Sequence, residues 1–86
     1  MNFVTYMKAK YYKIYSTARK KENDEAMGVA KKIDNNLFII YKNSSSLLEY
    51  IDNGNEYLEL FETIKCTKKE FKKAFDEAIK FYKKLV

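Results

Sequence analysis

Residues 67–86, TKKEFKKAFDEAIKFYKKLV, decide the fold because they hold the most regular pattern in the chain. Thr67 and Glu70 have the spacing of a capping box, in which each side chain accepts a hydrogen bond from the other residue's backbone N–H. Apolar residues then recur every three or four positions, which predicts an amphipathic helix that docks on another layer. Phe75 is the predicted centre of this stripe, whose members are Phe71, Ala74, Phe75, Ala78, Ile79, Tyr82 and Leu85.

The region before this helix is rich in strand signals. Asn53-Gly54 separates two apolar runs, which is the strongest short-range hairpin signal. The predicted arms are residues 47–52 and 55–65. A short helix over residues 46–52, capped by serine and ended by Gly54, is the competing interpretation of the first arm. The continuous apolar run LFIIY at 37–41 predicts a central strand.

The first third of the chain predicts one strand and one helix. Residues 2–16 are rich in β-branched and aromatic side chains, which favours a strand, although Phe3, Met7 and Tyr11 also fit a helical stripe. An asparagine cap, two acids in the first turn and apolar residues at helical spacing predict a helix over residues 23–35. The predicted order is β-α-β-β-β-α, an α+β domain with a three- or four-stranded antiparallel sheet.

Length and composition predict one small domain over residues 1–86. The chain is 47% hydrophobic and 16% aromatic, which is enough for a core and argues against disorder. The single cysteine, Cys66, cannot form an internal disulfide, and this favours a reducing, cytoplasmic location. No apolar run reaches the roughly 20 residues of a membrane span, and the apolar stretch at 3–7 is too short for a secretory signal.

The residue types present exclude most catalytic chemistry. The chain has no histidine, so Ser-His and Cys-His pairs and zinc-type ligand spacing are absent. It has only two glycines, which is too few for a phosphate-binding loop. Alternation with Ile64 predicts that Cys66 lies on the buried face as a core residue rather than a nucleophile. We therefore expect a protein that is not an enzyme and needs no cofactor or metal.

Charge is unevenly distributed along the chain, whose net charge is +5. Residues 1–21 carry +6 and residues 67–86 carry +4, whereas residues 22–35 carry −2 and residues 36–66 carry −3. The basic ends and the acidic middle predict two alternative binding surfaces. Lysine outnumbers arginine sixteen to one, as in AT-rich genomes, and size and composition together suggest a mobile element of a low-GC microbe as the origin.

The leading functional hypothesis is a protein-binding regulator or inhibitor that uses the acidic middle. Acids interleaved with tyrosines along the predicted hairpin suit a basic partner groove, because charge speeds association and tyrosine anchors an interface. The same charges would also protect an edge hairpin from aggregation. The predicted contact residues are Glu49, Tyr50, Asp52, Glu56, Tyr57 and Glu59.

The alternative hypothesis is a nucleic-acid-binding module with a basic, tyrosine-rich surface. Lysines release counterions from phosphates, and tyrosines stack on bases. Lys68 and Lys69 fall in the first turn of the predicted final helix, where cations oppose the helix dipole and a bound anion would relieve them. The predicted contact residues are Lys8, Lys10, Lys13, Arg19, Lys68, Lys69 and Lys72.

The stretch TKKEFKKA at 67–74 resembles the start of the final helix in double-stranded-RNA-binding domains. It is also similar to the helix in the three-stranded arm-binding domains of phage-type integrases. The first resemblance implies that Lys68, Lys69 and Lys72 contact phosphates, and that residues 22–86 follow an α-β-β-β-α order. The stretch covers eight residues, lacks the Gly-rich approach to that helix and follows an acidic hairpin, so the chain is assigned to neither family.

These observations rank the binding partners that we expect. A protein partner is the leading expectation, nucleic acid is the alternative, and no membrane partner is expected. A homodimer is a further option, because an exposed strand over residues 2–16 would offer unpaired backbone groups to a second copy.

Overall fold

The computed structural model describes residues 8–17, 25–42 and 48–86. In these ranges the chain forms a five-stranded antiparallel sheet and two helices. The strands lie in the order β4-β3-β2-β1-β5. The predicted α+β class, with a C-terminal helix packed on an antiparallel sheet, is confirmed. The elements are β1 (Lys10–Ser16), β2 (Gly28–Ile33), β3 (Asn36–Tyr41), β4 (Leu48–Ile51), α1 (Gly54–Leu58), β5 (Phe61–Lys65) and α2 (Lys68–Lys83).

Strand β1 confirms the strand interpretation for the second half of the 2–16 segment. Residues 2–7 of that prediction lie outside the described part of the chain. Strand β1 pairs with β2 on one side and with β5 on the other. The prediction that a second copy pairs with this strand is therefore wrong for residues 10–16, because both edges of β1 are already hydrogen-bonded.

The helix predicted over 23–35 is wrong, because β2 occupies residues 28–33; residues 23 and 24 are not described. Val29 and Ala30 point to opposite faces of the sheet and both are buried, so the apolar pattern has a period of two. Asp34 takes the left-handed conformation, with a φ of 54°, in the tight turn from β2 to β3. The α-β-β-β-α order implied by the resemblance fails for the same reason.

The hairpin predicted around Asn53-Gly54 is also wrong. Strand β4 ends at Ile51, Gly54 begins α1, and β5 pairs with β1 at the far edge of the sheet. The connection crosses one face of the sheet, where Tyr57, Leu58 and Phe61 cover a buried cluster that an edge hairpin would leave in water. The competing helix over 46–52 is wrong for residues 48–51, which form β4; residues 46 and 47 are not described.

Helix α2 begins as its sequence predicts. The Thr67 hydroxyl accepts a hydrogen bond from the Glu70 N–H at 3.2 Å, and the Glu70 carboxylate accepts one from the Thr67 N–H at 2.9 Å. Phe71, Ala74 and Ala78 are buried against the sheet. Phe75, the predicted centre of the core, is 39% exposed. The apolar stripe of α2 is therefore wider than the surface that the sheet covers.

The two faces of the sheet carry separate apolar clusters. On the α2 face, Val29 and Ile40 pack against Phe71, Ala74 and Ala78. On the α1 face, Ile14, Ala30, Leu37 and Ile39 pack against α1 and the residues beside it. No helix in the described parts of the chain is both long and apolar enough to cross a bilayer.

Candidate binding groove

Helix α2 lies along one row of cross-strand neighbours on its face of the sheet. The register places Lys13, Val29, Ile40 and Leu48 side by side across four strands. Each contacts α2 or pairs with it: Val29 and Ile40 pack on it, Lys13 pairs with Glu70 at 3.4 Å, and the Leu48 N–H donates to the Tyr82 hydroxyl at 3.0 Å. The helix axis therefore crosses the strands, from β1 to β4.

The next row along the strands lies beside α2, which covers it only in part, where Tyr11 packs against Phe71. The register aligns Tyr11, Lys31, Phe38 and Tyr50 across the same four strands. The Phe38 and Tyr50 rings lie 5.1 Å apart, and the Lys31 ammonium lies 5.9 Å from the centroid of the Tyr11 ring. Three of the four residues in this row are aromatic, and the row forms the floor of a groove parallel to α2.

Apolar side chains of α2 form the wall of this groove. Phe71 and Phe75 line two adjoining hollows of about 260 and 250 Å³, the second of which also reaches Ile33, Phe38 and Leu48. Several large apolar residues here remain in contact with water: Phe75 is 39% exposed, Leu48 is 43% exposed and Tyr50 is 57% exposed. These exposed apolar side chains and the two hollows make the groove the candidate site.

The charged residues of the groove are all basic. Lys31, Lys68 and Lys72 line it, and no carboxylate does so among the described residues. Lys72 pairs with Asp76 at 3.0 Å, as its i,i+4 spacing predicts, and both side chains are exposed. Of the described acids, none pairs with Lys31 or Lys68 within 4.0 Å. The groove is thus apolar in its wall and in most of its floor, and its positive charges are Lys31 in the floor and Lys68 and Lys72 in the first two turns of α2.

The predicted acidic contact set does not form one surface. Glu49 lies on the α1 face and accepts hydrogen bonds from the Tyr41 hydroxyl at 2.8 Å and the Tyr57 hydroxyl at 3.3 Å. Burial, followed by the hydrogen bonds of the Tyr41 hydroxyl with the Tyr57 hydroxyl and the Glu49 carboxylate, raises the pKa of Tyr41 well above its usual range. Glu49 and Tyr57 therefore have a structural role. Tyr50 lies on the opposite face, and the remaining members, Asp52, Glu56 and Glu59, are exposed near α1.

The predicted basic contact set is likewise divided. Lys68 and Lys72 line the groove, whereas Lys13 is half-buried in its ion pair with Glu70. Lys10 faces the other side of the sheet, as its pairing with Lys32 shows. The other two described members, Lys8 and Lys69, are exposed outside the groove, and Arg19 lies outside the described residues.

Sequence reasoning included only Tyr50 of the four floor residues and missed Tyr11, Lys31 and Phe38. The helix predicted over 23–35 placed Lys31 on a helical surface, and the run at 37–41 gave no sign of which face Phe38 would take. The signal that finds both is the period-two pattern of 28–33 aligned with 36–41 through the turn at Asp34.

Cys66 is half-buried at the junction of β5 and α2. Its predicted neighbour on a buried face, Ile64, is 47% exposed, so that part of the prediction is wrong. Burial, and secondarily the Glu70 carboxylate, raises the pKa of the Cys66 thiol. Within the described ranges, no three His, Cys, Asp or Glu side chains converge as a metal site would require.

Cys66 is expected to react slowly with iodoacetamide at neutral pH. Only the thiolate attacks, and a raised pKa lowers its fraction at pH 7. Labelling of the folded protein, followed by mass spectrometry across a pH series, should give a rate midpoint above that of an unstructured cysteine peptide. A midpoint at or below that of the peptide would contradict this prediction.

The chain was compared with protein families, curated proteins and solved structures. No family model, no curated protein and no solved structure matches it.

Proposed function

We propose that this protein is a non-catalytic protein-binding module, acting as a regulator or inhibitor, whose groove receives an amphipathic α-helix of an acidic partner. The observation that carries the proposal is the partly exposed row of Tyr11, Lys31, Phe38 and Tyr50 beside the exposed side of α2. The acidic contact set predicted from the sequence is replaced by this groove, because its members lie on different faces. The single cysteine continues to favour a reducing, cytoplasmic location.

The position of the groove supports a helix as the bound element. The floor row lies two residues along the strands from the row beneath α2, which is about 7 Å. Packed helices lie about 8–10 Å apart, so a second helix in contact with α2 would rest over this row. A strand would instead need an edge of the sheet for its hydrogen bonds, and the groove runs across the strands.

The size of the groove limits the length of the bound helix. Four neighbouring strands span three gaps of about 4.8 Å, or about 14 Å in all. At about 1.5 Å per residue, this distance corresponds to a helical segment of about ten residues. Such a segment would place apolar residues at i, i+3, i+4 and i+7 against the aromatic floor and the Phe75 wall.

Charge supports an acidic partner. Lys31, Lys68 and Lys72 line the groove, and no described carboxylate does. Acids flanking the apolar stripe of the bound helix would complement these lysines, which mainly raises the association rate and fixes orientation. The aliphatic side chains of Ile33 and Leu48 in the same groove favour a protein over unpaired bases, which stack on aromatic rings.

Site-specific photo-crosslinking tests the proposal. Benzoylphenylalanine at Tyr50, in the groove, should crosslink in cells that express the protein to a partner peptide with a helical apolar pattern and flanking acids. The matched control carries the same probe at Leu60, which is 62% exposed and does not line the groove. The crosslinked segment, synthesised as a peptide, should bind the wild-type protein and gain helical circular dichroism.

The same peptide then separates groove binding from general adhesion. Phe75→Glu should weaken its binding at least 50-fold, because it removes part of the apolar wall and places a negative charge against an acidic peptide, while Leu60→Glu should change it less than twofold. Equal crosslinking from positions 50 and 60 would overturn the groove as the site. Crosslinks to nucleic acid or to a second copy of this chain, or to peptides without a helical pattern, would overturn the proposed occupant.

A further inference from the structure

The face of the sheet opposite α2 carries a second concentration of positive charge. Lys10 of β1 lies directly opposite Lys32 of β2, and Tyr12 of β1 lies directly opposite Lys65 of β5. Tyr12 also pairs with Ala30, which is buried on the α1 face, so all four side chains share that face. We call Lys10, Tyr12, Lys32 and Lys65 the lysine patch.

The lysines of the patch lack a close acidic partner among the described residues, since none of the three forms an ion pair within 4.0 Å with a described acid. Directly opposed side chains in an antiparallel pair have Cβ atoms about 4.5–5.5 Å apart, and like charges in that position destabilise the sheet. Lys10 and Lys32 therefore carry an electrostatic cost that a bound anion would remove.

We propose that the lysine patch binds the phosphate backbone of a single-stranded nucleic acid, with an unpaired base stacked on Tyr12. Lys10, Lys32 and Lys65 neighbour the half-buried Tyr12 in the register of the sheet, at the margin of the surface that α1 covers, and cations beside an aromatic ring are the combination that single strands use. A duplex hides its base faces inside the helix, so the ring has no base to stack on there. The lysine patch therefore prefers single strands.

This site is independent of the proposed groove. Adjacent residues of a strand point to opposite faces, so Tyr11 lies in the groove while Tyr12 lies in the lysine patch, and the same holds for Lys31 and Lys32. A protein helix and a nucleic acid strand could be bound together, one on each face. The domain would then link a partner protein to single-stranded nucleic acid.

Fluorescence anisotropy with a labelled 20-nucleotide oligo(dT) tests this inference on the full chain. Three neutralised phosphates predict a log–log salt slope of about −2, or roughly 18-fold weaker binding at 200 mM than at 50 mM salt. The triple variant Lys10→Gln, Lys32→Gln, Lys65→Gln should bind at least tenfold more weakly. The control Lys69→Gln, Lys80→Gln, Lys83→Gln removes the same charge from α2 and should change binding less than twofold.

Two single variants distinguish the contribution of stacking from that of charge, and a loss of binding from a loss of stability. Tyr12→Ala should weaken oligo(dT) at least fivefold through lost stacking, while leaving inorganic polyphosphate binding unchanged. Lys32→Glu should weaken oligo(dT) at least tenfold and raise the melting temperature, because it converts a repulsive cross-strand pair into an attractive one. Equal weakening by the two triple variants, tighter binding of a 20-base-pair duplex, or a melting temperature lowered by Lys32→Glu would each overturn the proposal.

Discussion

Phe71→Ala is expected to destabilise the protein by about 3–5 kcal/mol, the usual cost of removing a buried phenylalanine. Phe71 is 8% exposed, packs with Val29 and Ile40, and has its ring 5.7 Å from that of Tyr11. A domain of this length has a total stability of roughly 4–13 kcal/mol, so the loss would be about a quarter of it or more. Urea unfolding followed by circular dichroism at 222 nm measures the change.

The matched control is Phe75→Ala, one helical turn further along α2. The substitution and the change in helix propensity are the same, but Phe75 is 39% exposed and faces the groove. We expect a loss of about 1–2 kcal/mol because less apolar area leaves water at this position. Equal losses at the two positions would contradict the orientation of α2 on the sheet and, with it, the groove.

Gly28→Ala is expected to cost about 3 kcal/mol, at the upper end of the range for overpacking. A Cβ atom at Gly28 would lie 2.4 Å from the backbone oxygen of Ile40 and 3.0 Å from the Cα of Tyr41. Both atoms belong to β3, which is hydrogen-bonded on both sides, so they cannot move without breaking the ladder. The glycine at position 28, unfavourable in a helix, is thus required by the close approach of two strands.

Thermal unfolding of Gly28→Ala measures this effect, and amide NMR locates it. The largest chemical-shift changes should fall on β2 and β3, with α1 much less affected. A melting temperature within two degrees of that of the wild type would show that the strands have room for a methyl group here, contrary to the described register.

The two proposed surfaces have different physical signatures. Binding in the groove depends on apolar contact with Phe75 and should respond weakly to salt, because its lysines act mainly on the rate of association. Binding to the lysine patch depends on counterion release and should respond strongly. Each surface can therefore be disabled by its own substitution, Phe75→Glu or Lys32→Glu, without altering the other.

The wrong predictions of a hairpin at Asn53-Gly54 and of a helix over 23–35 have the same cause. In both segments a local sequence signal is overruled by pairing and packing with distant parts of the chain. Asn53-Gly54 is a strong hairpin signal, yet the cluster of Ile14, Ala30, Leu37 and Ile39 requires a cover, and Tyr57 to Phe61 provide it by crossing the sheet. The acids and lysines at 24, 25, 31 and 32 suit the two ends of a helix, yet the burial of Val29 and Ala30 on opposite faces selects a strand. In both places burial of apolar area outweighs a local preference.

The amino-acid sequence by itself determined α2 and its capping box, because these depend on contacts between residues close in the chain. The residue types of 2–16 and 37–41 favoured strands, and with α2 they indicated the α+β class. Only the tertiary structure decided which residues share a surface. Strand register brought Tyr11, Lys31, Phe38 and Tyr50 into one row from positions up to 39 residues apart. A shift of one residue in that register would move each side chain to the other face of the sheet, which is why local sequence patterns could not locate the groove.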